Sequence, residues 1–314
     1  MNDLIVFENV SKFYGEVLGV NRVSLTIPPG ITALVGPNGS GKTTLMNLLT
    51  GLVQPSSGSI SVMGLSSRDA NKFFATVGYC TQFDFFPRGI TGWQFLVDSL
   101  MLYGMSKLTA LQLAEESLQR VQLDKTAAWR KIDGYSKGMR QKVRLAQAIA
   151  HRPRVLVLDE PLNGLDPMAR AEAIALFEAL GRQRIHLIIS SHVLDEVDRI
   201  ADRVVLITGG YLIAEGNIHQ VRQEVREKPM QVLVRCDSPE ALASKMFAMN
   251  HCVEARLHPD GKGIFLRTGD VDQFYSILNE IATEGIIKIE AVAPADDDAN
   301  AIYQYLIGSD GGTL

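Results

Sequence analysis

Cysteine is scarce in this chain. The three present in 314 residues, Cys80, Cys236 and Cys252, form no C-x-x-C pair. That excludes a disulfide framework or a cysteine zinc site and suits a reducing compartment. Long apolar runs are missing too. Nothing approaches the roughly 18 consecutive apolar residues needed to span a bilayer, so any membrane role is expected to run through a separate chain. The N-terminus, Met1-Asn2-Asp3-Leu4-Ile5, has no basic stretch leading into an apolar one, and no secretion signal is expected. Positive charge is not in excess: the formal net charge is −4, and no basic field argues for nucleic acid. With 46% hydrophobic and 21% charged residues, the chain can bury the core of one large domain, or of a large and a small one.

Residues 36–44 carry the strongest signal. Gly36, Pro37, Asn38, Gly39, Ser40, Gly41, Lys42, Thr43 and Thr44 match the phosphate-binding pattern G-x-x-x-x-G-K-[ST]. Glycines let the backbone curl so that successive N–H groups point at one anion. Lys42 supplies a point charge for β- and γ-phosphates, and the Thr43 hydroxyl can ligate Mg²⁺. The flanks agree. Residues 31–35 read as a buried strand entering the loop, and residues 44–50 as a helix leaving it. The start of that helix adds its dipole to anion binding.

The rest of the first 216 residues alternates strand and helix. Strands are expected at 4–10, 23–27, 76–81, 155–158, 185–191 and 203–208, which makes an α/β sheet. An all-helical insertion, about residues 83–153, interrupts it. Within it Thr109 and Gln112 read as a capping box, with Leu111, Ala114, Leu118 and Val121 on one face. A second helix starts at Ser136, and Asp166 caps another that has Pro167 at its first position. A charged connector is expected at 217–228. Residues 229–308 then read strand–helix–strand–strand–helix–strand, the α+β ferredoxin-like order, followed by a last helix at 298–307 and a flexible tail at 309–314.

Two carboxylates end the strand at 155–158. Asp159 stands where a P-loop enzyme holds Mg²⁺, directly or through water. Glu160, one residue on, can orient and polarise an attacking water. Shortly before that strand, Tyr135-Ser136-Lys137-Gly138-Met139-Arg140-Gln141 resembles the Leu-Ser-Gly-Gly-Gln signature of ABC-type ATPases. It keeps Ser136 and Gly138 and departs at Tyr135, Lys137 and Met139.

That resemblance covers residues 4 to about 215 and implies the P-loop ABC ATPase fold. It implies that ATP is held with Mg²⁺, that Tyr14 stacks on adenine, and that Gln82 touches Mg²⁺ and the attacking water. Phe13 competes for the stacking role. It further implies that Asn163-Gly164-Leu165-Asp166 crosses a dimer interface, that His192 contacts the γ-phosphate, and that Ser136 and Gly138 meet the γ-phosphate held by a second cassette. Glu160 and His192 together imply a hydrolytic site, in a homodimer by default.

The Ser136-x-Gly138-Met139-Arg140 variant is similar to cassettes paired with ABC-2-type membrane subunits, mostly exporters. The mixed α/β extension also differs from the all-β extension usual in sugar importers. Integral membrane permease subunits are then the implied partners, and the cytoplasmic face of the membrane the implied location. Two alternatives stay open: a cassette that transmits force across a membrane without moving a solute, and a soluble ABC ATPase. The run from Phe83 to Phe95, with Phe85, Phe86 and Trp93 inside it, reads either as a docking surface for a membrane subunit or as core of the helical insertion.

Overall fold

The computed structural model describes residues 4–83, 85–192, 199–217, 230–249, 251–285 and 287–295. The chain divides into two compact units, residues 1–218 and 219–314. In the first, β1 (Ile5–Tyr14) and β2 (Val17–Ile27) form an antiparallel hairpin. β3 (Ile31–Val35) runs into the phosphate-loop sequence and α1 (Lys42–Leu49). β4 (Ser57–Val62) then returns to pair antiparallel with β1. α2 (Ala70–Thr76) and β5 (Val77–Cys80) follow. The helical insertion comprises α3 (Gly92–Leu102), α4 (Lys107–Arg120), α5 (Lys125–Ala128), a 3₁₀ turn at Ile132–Gly134 and α6 (Lys137–Ala150). β6 (Val155–Leu158), α7 (Pro167–Arg182), β7 (His186–Ser191), β8 (Arg203–Thr208) and β9 (Tyr211–Asn217) complete the unit.

Two sheets result. One is antiparallel, in the order β2-β1-β4; the other runs β5-β6-β7-β3-β8-β9, parallel except for its last pair. α1 joins them. Its Leu45, Met46 and Leu49 share one apolar core with Phe7 and Leu25 of the hairpin and with Val157, Ile188 and Val205 of the parallel sheet. All four residues of β6 are buried, as its unbroken Val-Leu-Val-Leu run requires of a central parallel strand. The loops at the carboxyl ends of β3, β6 and β7 therefore stand side by side at one edge of the sheet, where α/β folds place their ligands.

Five elements differ from the sequence reading. β4, α2 and β9 were not expected, and β1 and β2 run longer than 4–10 and 23–27. β4 and β9 are mostly exposed or half-buried, so neither shows the apolar pattern of a core strand. α2 buries only Phe73. β1 changes register against β2 three times, and each irregularity breaks the period-2 pattern. The cap of α4 also moves: Ser106, not Thr109, accepts the bond, from the Thr109 N–H at 3.2 Å. Thr109 lies within the first turn it was expected to precede.

In the second unit the elements are β10 (Met230–Cys236), α8 (Pro239–Ala248), β11 (Glu254–Leu257), β12 (Gly263–Thr268), α9 (Val271–Glu284) and β13 (Ile289–Pro294). Their sheet is antiparallel throughout, in the order β11-β12-β10-β13. Val232, Val234, Ile264 and Leu266 pack on Leu242, Met246, Phe274 and Leu278 of the two helices. The connector expected at 217–228 lies outside the described residues, except for Asn217, which ends β9. So do the last helix and tail expected from 298 onward.

Candidate active site

The loop between β3 and α1 is shaped by two glycines. A Cβ on Gly36 would stand 2.1 Å from the Ile207 carbonyl oxygen of β8, so the chain passes there only without a side chain. Gly41, with φ 106°, is the N-cap of α1 and offers no side-chain cap. The first N–H groups of α1 are thus left to an incoming anion.

Lys42 is buried, 6% exposed, and folds back across the loop. Its Nζ donates to the carbonyls of Gly36 at 2.7 Å and Pro37 at 3.1 Å. The same Nζ lies 3.5 Å from Glu160 Oε1. Burial pulls the Lys42 ammonium below its ordinary range, while Glu160 and, less, Asp159 oppose that. Ser40 Oγ is buried with no hydrogen-bond partner.

The carboxylates sit just beyond β6, next to the end of β7. Ser190 ties them together: its hydroxyl donates to Asp159 Oδ1 at 2.7 Å and accepts the Glu160 N–H at 2.7 Å. Asp159 Oδ2 is buried without a hydrogen-bond partner. Burial raises the Asp159 carboxyl above its usual range; Ser190 and the nearby Thr43 hydroxyl draw it back, and the Glu160 charge pushes it up. Glu160 adopts φ 47°, a left-handed conformation uncommon for a residue with a Cβ. Its side chain is 5% exposed, and Oε2 lies 2.9 Å from His192 Nδ1. Lys42, Thr43, Asp159, Glu160 and His192 therefore form one connected group.

Tyr14, at the end of β1, is half exposed and borders Gly19, which also faces Thr44. The Lys12 ammonium stands 5.2 Å from the centre of the Tyr14 ring. Phe13 is equally exposed and pairs in register with Leu18. Gln82, two residues past β5, is exposed and makes no hydrogen bond among the described residues.

A second group forms where α6 and α7 begin. Ser136 Oγ accepts the Met139 N–H at 3.2 Å, and Asp166 Oδ1 accepts the Ala169 N–H at 2.9 Å. Gly138 faces Ala169, and the Lys137 ammonium lies over the backbone of Gly164. Among the described residues no hydrogen bond or ion pair joins this group to the Lys42 group. The sequence reading passed over Ser190 and the Lys137–Gly164 contact. A polar residue closing the otherwise apolar Leu187-Ile188-Ile189 run is the signal that marks Ser190.

A sequence profile described as "ABC transporter" matches residues 20–163. An uncharacterized ABC transporter ATP-binding protein, YxlF of Bacillus subtilis (strain 168), is 34% identical over 284 residues, spanning 90% of this chain and 92% of that one. This chain is an ATP-binding subunit of the ABC transporter family. The bacitracin transport ATP-binding protein BcrA of Enterococcus faecalis is 31% identical and is matched over 98% of its length. The fold is that of a cassette solved as a dimer, the bacterial ABC transporter cassette MJ0796: TM-score 0.62 at 24% identity, over 68% of this chain and 98% of that one. As an ABC ATPase the cassette binds ATP and hydrolyses it. Among the described residues no helix is long and apolar enough to cross a membrane.

Proposed function

We propose that two copies of this cassette close over two ATP molecules on the cytoplasmic face of a membrane and drive an ABC-2-type exporter. The observation that carries this is the division of the site. Lys42, Thr43, Asp159, Glu160 and His192 make one group and Ser136, Gly138 and Asp166 another, without a bond between them. In this reading ATP rests on Tyr14 and residues 36–44 of one copy, and Ser136 and Gly138 of the other cover its γ-phosphate. Ser136 caps α6 through the Met139 N–H, leaving its own O–H and the other first-turn N–H groups for an anion, and each charge-assisted contact to phosphate contributes about 1.5–3 kcal/mol.

Mg²⁺ suits the residues present. The orphaned buried Asp159 Oδ2 beside the Thr43 hydroxyl is the sparse oxygen set that Mg²⁺ uses together with phosphate oxygens, and Gln82 would complete it. Bound there, the ion would neutralise charge on the β- and γ-phosphates. The protein's own part is positioning. Glu160 orients the water and takes its proton as the water oxygen bonds to phosphorus and the bond to ADP breaks. His192 fixes the Glu160 carboxylate. Lys42 leaves the Gly36 and Pro37 carbonyls for the phosphates.

Export is favoured by the signature variant and by relatives whose names say as much. The Nod factor export ATP-binding protein I of Burkholderia orbicola (strain AU 1054) is 38% identical over 218 residues. The aromatic run after Gln82 supplies a docking surface for the membrane subunit. Phe83 is 73% and Phe85 84% exposed, whereas Phe86 packs edge-on against Phe95 and Trp93 stacks on Trp129. The decisive experiment is Glu160→Gln. The variant binds ATP, accumulates as an ATP-dependent dimer on size exclusion, and loses turnover; near-normal turnover, or an active strict monomer, overturns the assignment.

A further inference from the structure

Ser190 is wholly buried at the penultimate position of β7. Side chains alternate along a strand, so it shares a face with Ile188, which belongs to the apolar core under α1. By packing alone, a β-branched apolar residue is the usual occupant of such a position. A hydroxyl buried there is costly unless its bonds are made. Among the described residues, both bonds of this hydroxyl go to the two acidic residues of the site. Its single proton is donated to Asp159 Oδ1, and its oxygen accepts the Glu160 N–H, each at 2.7 Å. The two bonds have separate consequences. The first orients the Asp159 carboxylate and leaves Oδ2, buried and unpartnered, as the oxygen available to a cation. Carboxylates that hold metals are commonly oriented by an outer hydrogen bond of this kind. The second fixes one side of a residue at φ 47°, whose carbonyl accepts the Asn163 N–H at 3.2 Å on the other side. A left-handed residue with a Cβ persists only where its surroundings hold it. From that backbone the Glu160 side chain reaches His192 and Lys42.

We propose that Ser190 is a positioning residue for ATP hydrolysis. Its one hydroxyl sets both the Asp159 oxygen left for Mg²⁺ and the backbone that aims the Glu160 carboxylate at the attacking water. This rests on the reading of Asp159 as metal-holding and Glu160 as water-orienting. It adds that the two are set together, by one group on a neighbouring strand that touches neither nucleotide nor water. Losing the hydroxyl therefore disturbs metal and water at once, while the phosphate loop keeps its shape.

Ser190→Thr and Ser190→Val, made in the full-length chain, test this, because both new side chains are β-branched and differ in little but the hydroxyl. Three quantities are measured: affinity for a non-hydrolysable ATP analogue in EDTA, the same affinity with Mg²⁺, and single-turnover hydrolysis of ATP. In EDTA the two variants are expected to bind alike. The tightening that Mg²⁺ brings is expected to be about ten-fold smaller in Ser190→Val than in Ser190→Thr. Hydrolysis at saturating ATP and Mg²⁺ is expected to be about 10²-fold slower in Ser190→Val. A hydroxyl that served stability alone would shift the urea midpoint and leave both of these comparisons equal. Where Ser190→Val does not fold, Ser190→Ala, which only removes an atom, takes its place beside Ser190→Thr. Equal Mg²⁺ tightening in the pair, or equal hydrolysis, overturns the proposal. If Glu160→Gln keeps its turnover, the reading of the carboxylates falls and this inference with it. If Glu160→Gln is inactive while Ser190→Thr and Ser190→Val agree, the role of Ser190 alone falls.

Discussion

His192 Nδ1 lies 2.9 Å from Glu160 Oε2, while Lys42 Nζ lies 3.5 Å from Oε1 of the same carboxylate. The side chain proposed to orient water is thus gripped from both ends. In the proposed reading Lys42 also serves the phosphates, whereas the contact His192 makes here is with the carboxylate. His192→Ala should therefore lower single-turnover hydrolysis about 10²-fold while nucleotide affinity changes little. His192→Gln, which can still donate to the carboxylate, should recover part of the loss. Equal losses in affinity and turnover would assign His192 to binding instead.

Ser136 holds two roles that one pair of variants separates. Its Oγ caps α6 by accepting the Met139 N–H. Ser136→Ala loses the cap, at a cost of about 1 kcal/mol in stability. Ser136→Asp keeps a capping acceptor and should unfold no more easily than the parent, yet it sets a carboxylate against the γ-phosphate of the partner's ATP. ATP-dependent dimers should vanish in the aspartate variant despite its stability. Analytical ultracentrifugation with ATP, beside urea unfolding, reads both.

Asp159 gives the ligand-free cassette a pH dependence of definite sign. Burial raises its carboxyl above the ordinary 3.8, with the Glu160 charge acting the same way. Between 3.8 and the raised value the folded chain holds more protons than the unfolded one, so stability falls as pH climbs through that window. Asp159→Asn should flatten this slope and leave the ligand-free chain more stable at neutral pH. Urea midpoints measured across the acid range test it; parent and variant with the same slope would refute it.

The aromatic run divides into partners and free rings, and truncation should follow the division. Phe85→Ala removes an exposed ring and should shift stability by no more than about 0.5 kcal/mol, while recruitment to membranes containing the permease is lost. Trp93→Ala breaks the stack on Trp129, with centroids 5.1 Å apart, and should cost about 1–3 kcal/mol. Thermal unfolding and membrane co-sedimentation, run on both variants, separate the effects.

What could be read from the sequence follows from burial. β6 and β8 were legible to the residue and β7 to within one, because fully buried parallel strands leave unbroken apolar runs. β4 and β9, exposed or half-buried along most of their length, left no such trace. The caps at Ser136 and Asp166 were legible because a hydroxyl or carboxylate before a helix has a local purpose. At the site, residues 36–44 and the Asp159–Glu160 pair announce themselves by type and spacing. Their connections do not. Ser190 joins the Asp159 carboxylate to the Glu160 backbone N–H from 30 residues downstream, Lys42 meets Glu160 across 118 positions, and Arg144 reaches Cys80 across 64. Each of these depends on the folding of strands and helices against one another.

The left-handed backbone at Glu160 has a consequence for anyone who breeds this protein for robustness. A residue with a Cβ held in such a conformation costs on the order of 1–3 kcal/mol, and glycine or asparagine there would relax it. Variants that survive heat or denaturant best can therefore include ones that have discarded the carboxylate. A selection scored on folding alone would then drift toward a durable cassette that binds ATP and never fires. Any such screen needs turnover as a second, simultaneous criterion.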